Sequence, residues 1–361
     1  MNISQNNIVN VNALSSFFSQ LKNIESNSNT VSIVHIGDSH IQADFLSGEV
    51  RQKLQASFGN AGRGFVFPYK IAKSGGALDV RFSYTGSWQS CYIKRGYSTC
   101  NLGVSGFTIT PGIGASFKID VAAKAQTDAT FNKLTFLDNY GSFLPTSALG
   151  GFSPIKEKGN TVIYFDELQE KIEFKPAFEK NIMPELQGMI LENGEPGVLY
   201  HGIGINGSTV SQYLRSNSFE KQINDLDASL VIISFGTNDC YTSSSKFCAN
   251  CLKEDYRKLI ARIRSKNPST PILLTTPPDH FLNRKYANKK VIDLNNALYE
   301  LAAEEEVALW DLHEAMGGAG SILSWKNEGL ATSDLVHFTI PGYKLQGDLL
   351  YKALMRGYDS Q

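Results

Sequence analysis

Leu14, Phe17, Phe18 and Leu21 recur at helical spacing and predict a helix over roughly residues 12–24. Val31–Ile36 is a short, almost wholly apolar run, as in a parallel strand buried on both faces. Gly37-Asp38-Ser39 ends that run, and a second helical pattern follows through Leu46, Val50 and Leu54. The rhythm breaks near Gly59. From 62 to 192 the chain is rich in Gly, Ser, Thr and aromatic residues, and short segments alternate apolar with polar positions. They recur at Asp79–Tyr84, Ser116–Val121, Lys133–Leu137, Thr161–Phe165 and Lys171–Phe174, with turn residues between them. This pattern predicts an all-β sandwich or barrel of about 130 residues.

The earlier rhythm then resumes. Gly197–His201, Leu230–Phe235, Pro271–Thr275 and Val307–Trp310 read as strands. Helical patterns run through Leu252, Tyr256, Leu259, Ile260 and Ile263, through Ile292, Leu298 and Leu301, and through Leu345, Leu349, Leu350 and Leu354. With Val31–Ile36 there are five strands, each followed by a helical pattern, and a parallel, doubly wound sheet packs them naturally. The expected architecture is a discontinuous α/β domain, residues 1–61 and 193–361, interrupted by an inserted all-β, sandwich-like domain at 62–192.

The charge is nearly balanced, with 34 Lys plus Arg against 35 Asp plus Glu, so no nucleic-acid footprint is expected. No apolar run approaches the ~20 residues of a membrane span. The stretch Met1–Val11 is polar and Asn-rich, and no signal peptide is read there. The five cysteines do not form a zinc pattern, because Cys248-Ala249-Asn250-Cys251 has no second pair. They read as structural or incidental, with pairing left open.

Four blocks follow predicted strands and carry chemistry. Ser39, in Gly37-Asp38-Ser39-His40, stands at the carboxyl end of a buried strand, where open α/β sheets place their sites. A serine there also suits a plain helix cap. Gly207, in Gly204-Ile205-Asn206-Gly207-Ser208-Thr209, lets a backbone N–H come close to a substrate oxygen. Asn238, in Gly236-Thr237-Asn238-Asp239, offers an amide donor or an Asx turn. Asp334 and His337 are three apart, the spacing at which a carboxylate can orient a general base. Asp279 and His280, after the fourth strand, are the rival base pair.

Taken together and in this order, the blocks resemble the SGNH (GDSL-type) hydrolase family. That resemblance implies a three-layer α/β/α fold with a five-stranded parallel sheet. It implies Ser39 as nucleophile, His337 as base and Asp334 orienting it. The oxyanion hole would be the N–H groups of Ser39 and Gly207 and the amide of Asn238. The wider context, Gly37-Asp38-Ser39-His40-Ile41-Gln42, Gly59-Asn60-Ala61-Gly62-Arg63-Gly64-Phe65 and the β insert, resembles bacterial peptidoglycan O-acetylesterases. In those enzymes the insert resembles a carbohydrate-binding β-sandwich of the family 35 type.

The resemblance implies a serine esterase that needs no metal or cofactor, acts as a monomer outside the cytoplasm, and takes O-acetylated glycan, peptidoglycan above all. Acyl transfer to a sugar, or a broader acetylesterase or lipase activity, would use the same residues. A glycan-binding protein with a vestigial site is the non-enzyme alternative. Trp88, Tyr92 and Tyr97 could stack on sugars, although aromatics in a β-sandwich more often pack inside. His40 and Gln42 are expected to bond locally rather than shape the substrate pocket, and His35 to be a satisfied core histidine, while His201, at a strand end near the site, could line it. The β segment is expected to hold glycan and to supply no catalytic group.

Overall fold

The computed structural model describes residues 6–94, 100–121, 128–138, 142–178 and 183–361. Tyr97, a candidate for sugar stacking, lies outside them. In the strand Thr30–Gly37 every residue after Thr30 is buried, because both faces of the strand are covered. Gly197–Gly204 and Leu230–Ser234 pair with it in parallel, one on each side. Ile272–Thr275 and Ala308–Trp310 extend the sheet beyond Leu230–Ser234, also in parallel. The winding direction therefore reverses at Thr30–Gly37, and ligands bind open α/β sheets at such a switch point.

Where the apolar runs predict five strands, the sheet has six. Ile8–Val9 pairs antiparallel with Ala308–Trp310 at the far edge. Two residues in an Asn-rich stretch carry no apolar run to betray a strand. Polar side chains hold the segment instead. Trp310 Nε1 donates to Asn6 Oδ1 at 2.8 Å, and Asn6 Nδ2 donates to the Leu349 carbonyl at 2.8 Å.

Alternate residues of the sheet face opposite layers. Ile33, Tyr200, Ile232 and Leu273 pack with Phe17, Val50 and Leu350 from the helices Ser15–Lys22, Phe45–Phe58 and Ile340–Asp359. Val34, Ile36, Val231 and Leu274 pack with Ile223, Leu259 and Leu298 from Phe219–Asp225, Ala249–Arg264 and Lys290–Glu304.

Between residues 62 and 192 the described chain forms sheets of five, four and two strands. Phe117, Phe136, Phe143 and Phe174 meet between them, with ring centroids 5.2–5.7 Å apart. This core is continuous with one face of the central sheet. Val104, Leu134 and Leu191 belong to the same buried cluster as Leu199, Ile203 and Tyr213. Buried charges tie the parts together as well. The Arg63 guanidinium bonds Asp44 and Asp79, each at 2.6 Å, and Arg51 bonds the same two carboxylates at 2.7 and 3.0 Å.

Trp88 and Tyr92 are half-buried and packed inward. Trp88 Nε1 donates to the Thr85 carbonyl at 2.9 Å, with its ring edge-on to Phe117. Tyr92 stacks on Phe107, with centroids 5.2 Å apart. Cys91 and Cys100 form one disulfide, Cys248 and Cys251 another, and Cys240 is free and buried. Among the described residues no helix is long and apolar enough to cross a membrane.

Candidate active site

The site begins with three strand ends at one level. Gly37 is in register with Gly204 on one side and Ser234 on the other. The Asp38 N–H donates to the Ser234 carbonyl at 3.3 Å, and the Ile205 N–H donates to the Gly37 carbonyl at 3.0 Å. A Cβ at Gly37 would lie 2.6 Å from the Ser234 carbonyl oxygen, so this crossing requires glycine. Asp38 then caps the one-turn helix Ser39–Gln42 by accepting the His40 N–H at 3.0 Å. Ser39 is the first residue of that turn, half-buried, with its hydroxyl 3.1 Å from His337 Nε2.

His337 arrives on a tight loop. Leu335 takes a left-handed φ of 56°, which turns the chain back on itself. Asp334 Oδ1 accepts the backbone N–H groups of Val336 and His337, each at 2.9 Å, and the Thr332 hydroxyl at 2.5 Å. Its Oδ2 meets His337 Nδ1 at 2.7 Å. Partial burial would raise the Asp334 pKa, but these donors outweigh it and hold the carboxyl well below its usual range. An ionised Asp334 fixes the proton on Nδ1 and leaves Nε2 to accept from Ser39. The structure thus brings Ser39, His337 and Asp334 into one hydrogen-bonded chain.

Gly207, in the loop after the strand Gly197–Gly204, has a φ of 68°, and a Cβ there would lie 3.9 Å from Asn238 Oδ1. Among the described residues, neither its N–H nor that of Ser39 has an acceptor in the protein. Asn238 follows the adjacent strand. Its Nδ2 donates to Asp38 Oδ2 at 3.2 Å and to the Ser208 carbonyl at 3.1 Å, both longer than the common ~2.9–3.0 Å. Behind Asn238 lie two buried carboxyls. Desolvation pushes both Asp38 and Asp239 up to about 7. Asp239 Oδ1 accepts the Val210 N–H at 3.2 Å, while its Oδ2 is buried without a partner.

Gln42 does more than bond locally. Its Oε1 accepts the backbone N–H of Asn206. Its Nε2 donates to the Ser74 hydroxyl at 2.7 Å and the Gly75 carbonyl at 2.5 Å. The turn that carries Ser39, the glycine loop and the β-rich segment are therefore clamped at one side chain. Lys94, also from that segment, reaches the Asn206 carbonyl at 3.4 Å, and a Cβ on Gly207 would collide with its ammonium. Sequence reading misses these contacts, because no local pattern announces pairs 164 and 112 residues apart.

The other histidines are placed elsewhere. His280 is fully buried, with Nδ1 on the Pro278 carbonyl at 3.0 Å and Nε2 on Asn288 at 2.8 Å, so it is not free to serve Ser39. Asp279 accepts the Ile322 N–H at 2.9 Å. His201 does not line the site. Its strand runs on to Gly204, and its Nε2 lies 3.2 Å from the Ser32 hydroxyl. His35 sits between the hydroxyls of Tyr200 and Ser234, each at 2.7 Å, and burial lowers it to about 3. His40 Nδ1 meets the Tyr343 hydroxyl at 3.0 Å, with its ring 5.4 Å from that of His337. A cavity of about 290 Å³ borders Gln42, Tyr69, Lys70 and Arg81, but no residue of the Ser39–His337–Asp334 chain lines it.

Residues 181–345 match the model of the GDSL-like lipase/acylhydrolase family. That range contains Gly207, Asn238, Asp334 and His337; Ser39 lies before it. None of the curated proteins matches the sequence significantly. A solved structure described as a peptidoglycan O-acetylesterase in action superposes with a TM-score of 0.76 at 22% identity, over 96% of this chain and 97% of its own. The two share a fold. A GDSL-like lipase from Bacteroides thetaiotaomicron is 26% identical over 44% of this chain and 76% of its own, with a TM-score of 0.35. A lipase/acylhydrolase from Enterococcus faecalis is 23% identical over 43% of this chain and 75% of its own, with a TM-score of 0.35.

Proposed function

As the chain carries a GDSL-like lipase/acylhydrolase domain and is a carboxylic ester hydrolase, we propose that it removes O-acetyl groups from carbohydrate, with bacterial peptidoglycan as its substrate. The observation that carries this reading is the chain Ser39–His337–Asp334, with links of 3.1 and 2.7 Å. The glycan assignment is supported by the likeness of fold, over 96% of the chain, to a structure described as a peptidoglycan O-acetylesterase.

Ser39 Oγ attacks the acetyl carbonyl and gives its proton to His337 Nε2. The ionised Asp334 stabilises the imidazolium that forms. The carbonyl oxygen, now negative, takes donation from the N–H groups of Ser39 and Gly207. It also takes one N–H of Asn238, whose long bonds to Asp38 and Ser208 are easily exchanged for it. Collapse of the tetrahedral adduct breaks the bond to the sugar oxygen, which His337 protonates as it leaves. Water then attacks the acetyl-Ser39 ester with His337 as base, and acetate departs. The triad is open to solvent, with the Asp334 side chain 36% exposed. That openness suits a small acyl group presented on a bulky polymer.

The two disulfides fit an oxidising compartment, periplasmic or extracellular. The β-rich segment is assigned the glycan-holding role. Because it shares its core with the central sheet, it acts as part of one body. The test is acetate release from O-acetylated peptidoglycan, acetylated xylan and p-nitrophenyl acetate, by the native protein and by Ser39→Ala. Release from peptidoglycan that exceeds the xylan rate and disappears in Ser39→Ala is the expected result. Turnover of the small ester with none on either glycan would contradict the substrate assignment.

A further inference from the structure

We propose that Lys94 is a specificity-determining residue that makes the site prefer glycans bearing carboxylates near the acetyl group. The inference rests on the esterase reading and deepens it.

Lys94 is exposed, and its ammonium is held against the glycine loop by the Asn206 carbonyl, one residue from Gly207. It belongs to the β-rich segment, so the cation comes from outside the sheet that carries the triad. It is not alone. Lys73 immediately precedes Ser74, which Gln42 grips, and Lys70 and Arg81 line the cavity beside Gln42. All three are exposed. Among the described residues none of these four cations is paired with a carboxylate. Asp44, which lines that cavity, and Asp79, two residues before Arg81, are already neutralised by Arg51 and Arg63, and Asp120, opposite Arg81 across the strand pair, is engaged by Lys171 at 3.5 Å.

A chain with net charge −1 has no general surplus of cations to scatter here. Lys94 at the glycine loop, with Lys73 next to the Gln42 clamp and Lys70 and Arg81 on the neighbouring cavity, makes a local positive field beside the site. A neutral acetylated polymer gains nothing from that field. A polymer with carboxylates beside its acetyl groups is drawn in and held in register. Lys94 is the member placed to act on the bound substrate, because it touches the loop that faces the acetyl group. The shared chemistry is a carboxylate on the glycan, whether it comes from peptide stems or from uronic acids.

The test compares the full-length protein with Lys94→Gln and Lys94→Glu. kcat/KM for acetate release is measured on O-acetylated peptidoglycan, acetylated polygalacturonate and acetylated xylan. The ratio of carboxylate-bearing to neutral polymer should fall about threefold in Lys94→Gln and about tenfold in Lys94→Glu, chiefly through KM. Raising NaCl from about 0.02 to 0.5 M should narrow the ratio in the native protein more than in Lys94→Glu. A fall on peptidoglycan alone assigns the carboxylates to peptide stems, and a fall on polygalacturonate alone assigns them to uronic acids; both support the inference. An unchanged ratio in both variants, or equal losses on all three polymers, overturns it and leaves the esterase reading standing. No turnover of any acetyl ester by the native protein defeats both.

Discussion

The side-chain oxygen of Gln42 accepts the backbone N–H of Asn206, so the turn that carries Ser39 is tied directly to the loop that carries Gly207. A nucleophile and an oxyanion donor on separate loops must keep their spacing to within a fraction of an ångström. In the proposed mechanism Gln42 sets that spacing, and through Ser74 and Gly75 it makes the β-rich segment part of the setting. Gln42→Ala should lower kcat on p-nitrophenyl acetate by about 10–100-fold, since small misplacements cost on that scale. Steady-state kinetics on the folded variant checks this. A loss of stability with kcat per folded molecule intact would restrict Gln42 to a structural role.

Asn238→Ala removes one proposed donor to the oxyanion. It should lower kcat by about 10²–10³ and leave KM nearly constant, because the donation is felt mainly in the transition state. A change confined to KM would make Asn238 a ground-state binding group.

The proposed base is His337, with His280 the rival. His337→Ala should abolish turnover, and Asp334→Ala should reduce kcat by about 10²–10⁴. His280 bridges the Pro278 carbonyl and Asn288 in the core, so His280→Ala should lower Tm yet keep most turnover per folded molecule. Activity assays scaled by circular dichroism separate the two outcomes. Greater loss in His280→Ala than in His337→Ala would move the base.

Asp239 makes stability fall with rising pH. Its pKa is raised from 3.8 to about 7 by desolvation, so the folded state binds its proton more tightly than the unfolded state does. The stabilisation is complete below the unfolded value and is lost as pH rises towards about 7. Asp239→Asn mimics the neutral acid and keeps the acceptor for the Val210 N–H. It should match the native Tm near pH 4 and exceed it by several degrees at pH 8, a difference of order 2–4 kcal/mol. Thermal melts across pH read this directly. A variant less stable than the native protein at pH 8 would contradict it.

How far the sequence carried this account depends on the range of each signal. Val31–Ile36 and Leu230–Phe235 are legible because buried parallel strands are continuous apolar runs. Ser39, Asn238 and His337 are legible because each sits in a short block just past such a strand or just before a capped helix. Ile8–Val9 is not legible, since its strand rests on the side chain of Asn6 and not on an apolar run. The role of Gln42 needs a partner 164 residues away. The alternation of 62–192 predicts β structure correctly but says nothing of what its faces cover. Phe65, Val104 and Leu191 prove to share a core with Leu199 and Ile203 of the central sheet. Replacing the segment by a linker would uncover that face, so point changes at Lys94 and Gln42 probe its contribution more cleanly than deletion.

The central claim is that Ser39 is an activated nucleophile, and a tagged fluorophosphonate tests it most directly. Such a reagent phosphonylates a serine whose proton is taken by a neighbouring base and leaves a merely capping serine untouched. Mass spectrometry of the labelled native protein should find one adduct, on the peptide containing Ser39, and none in His337→Ala. No adduct on the folded native protein, or an adduct on a different serine, would contradict the account.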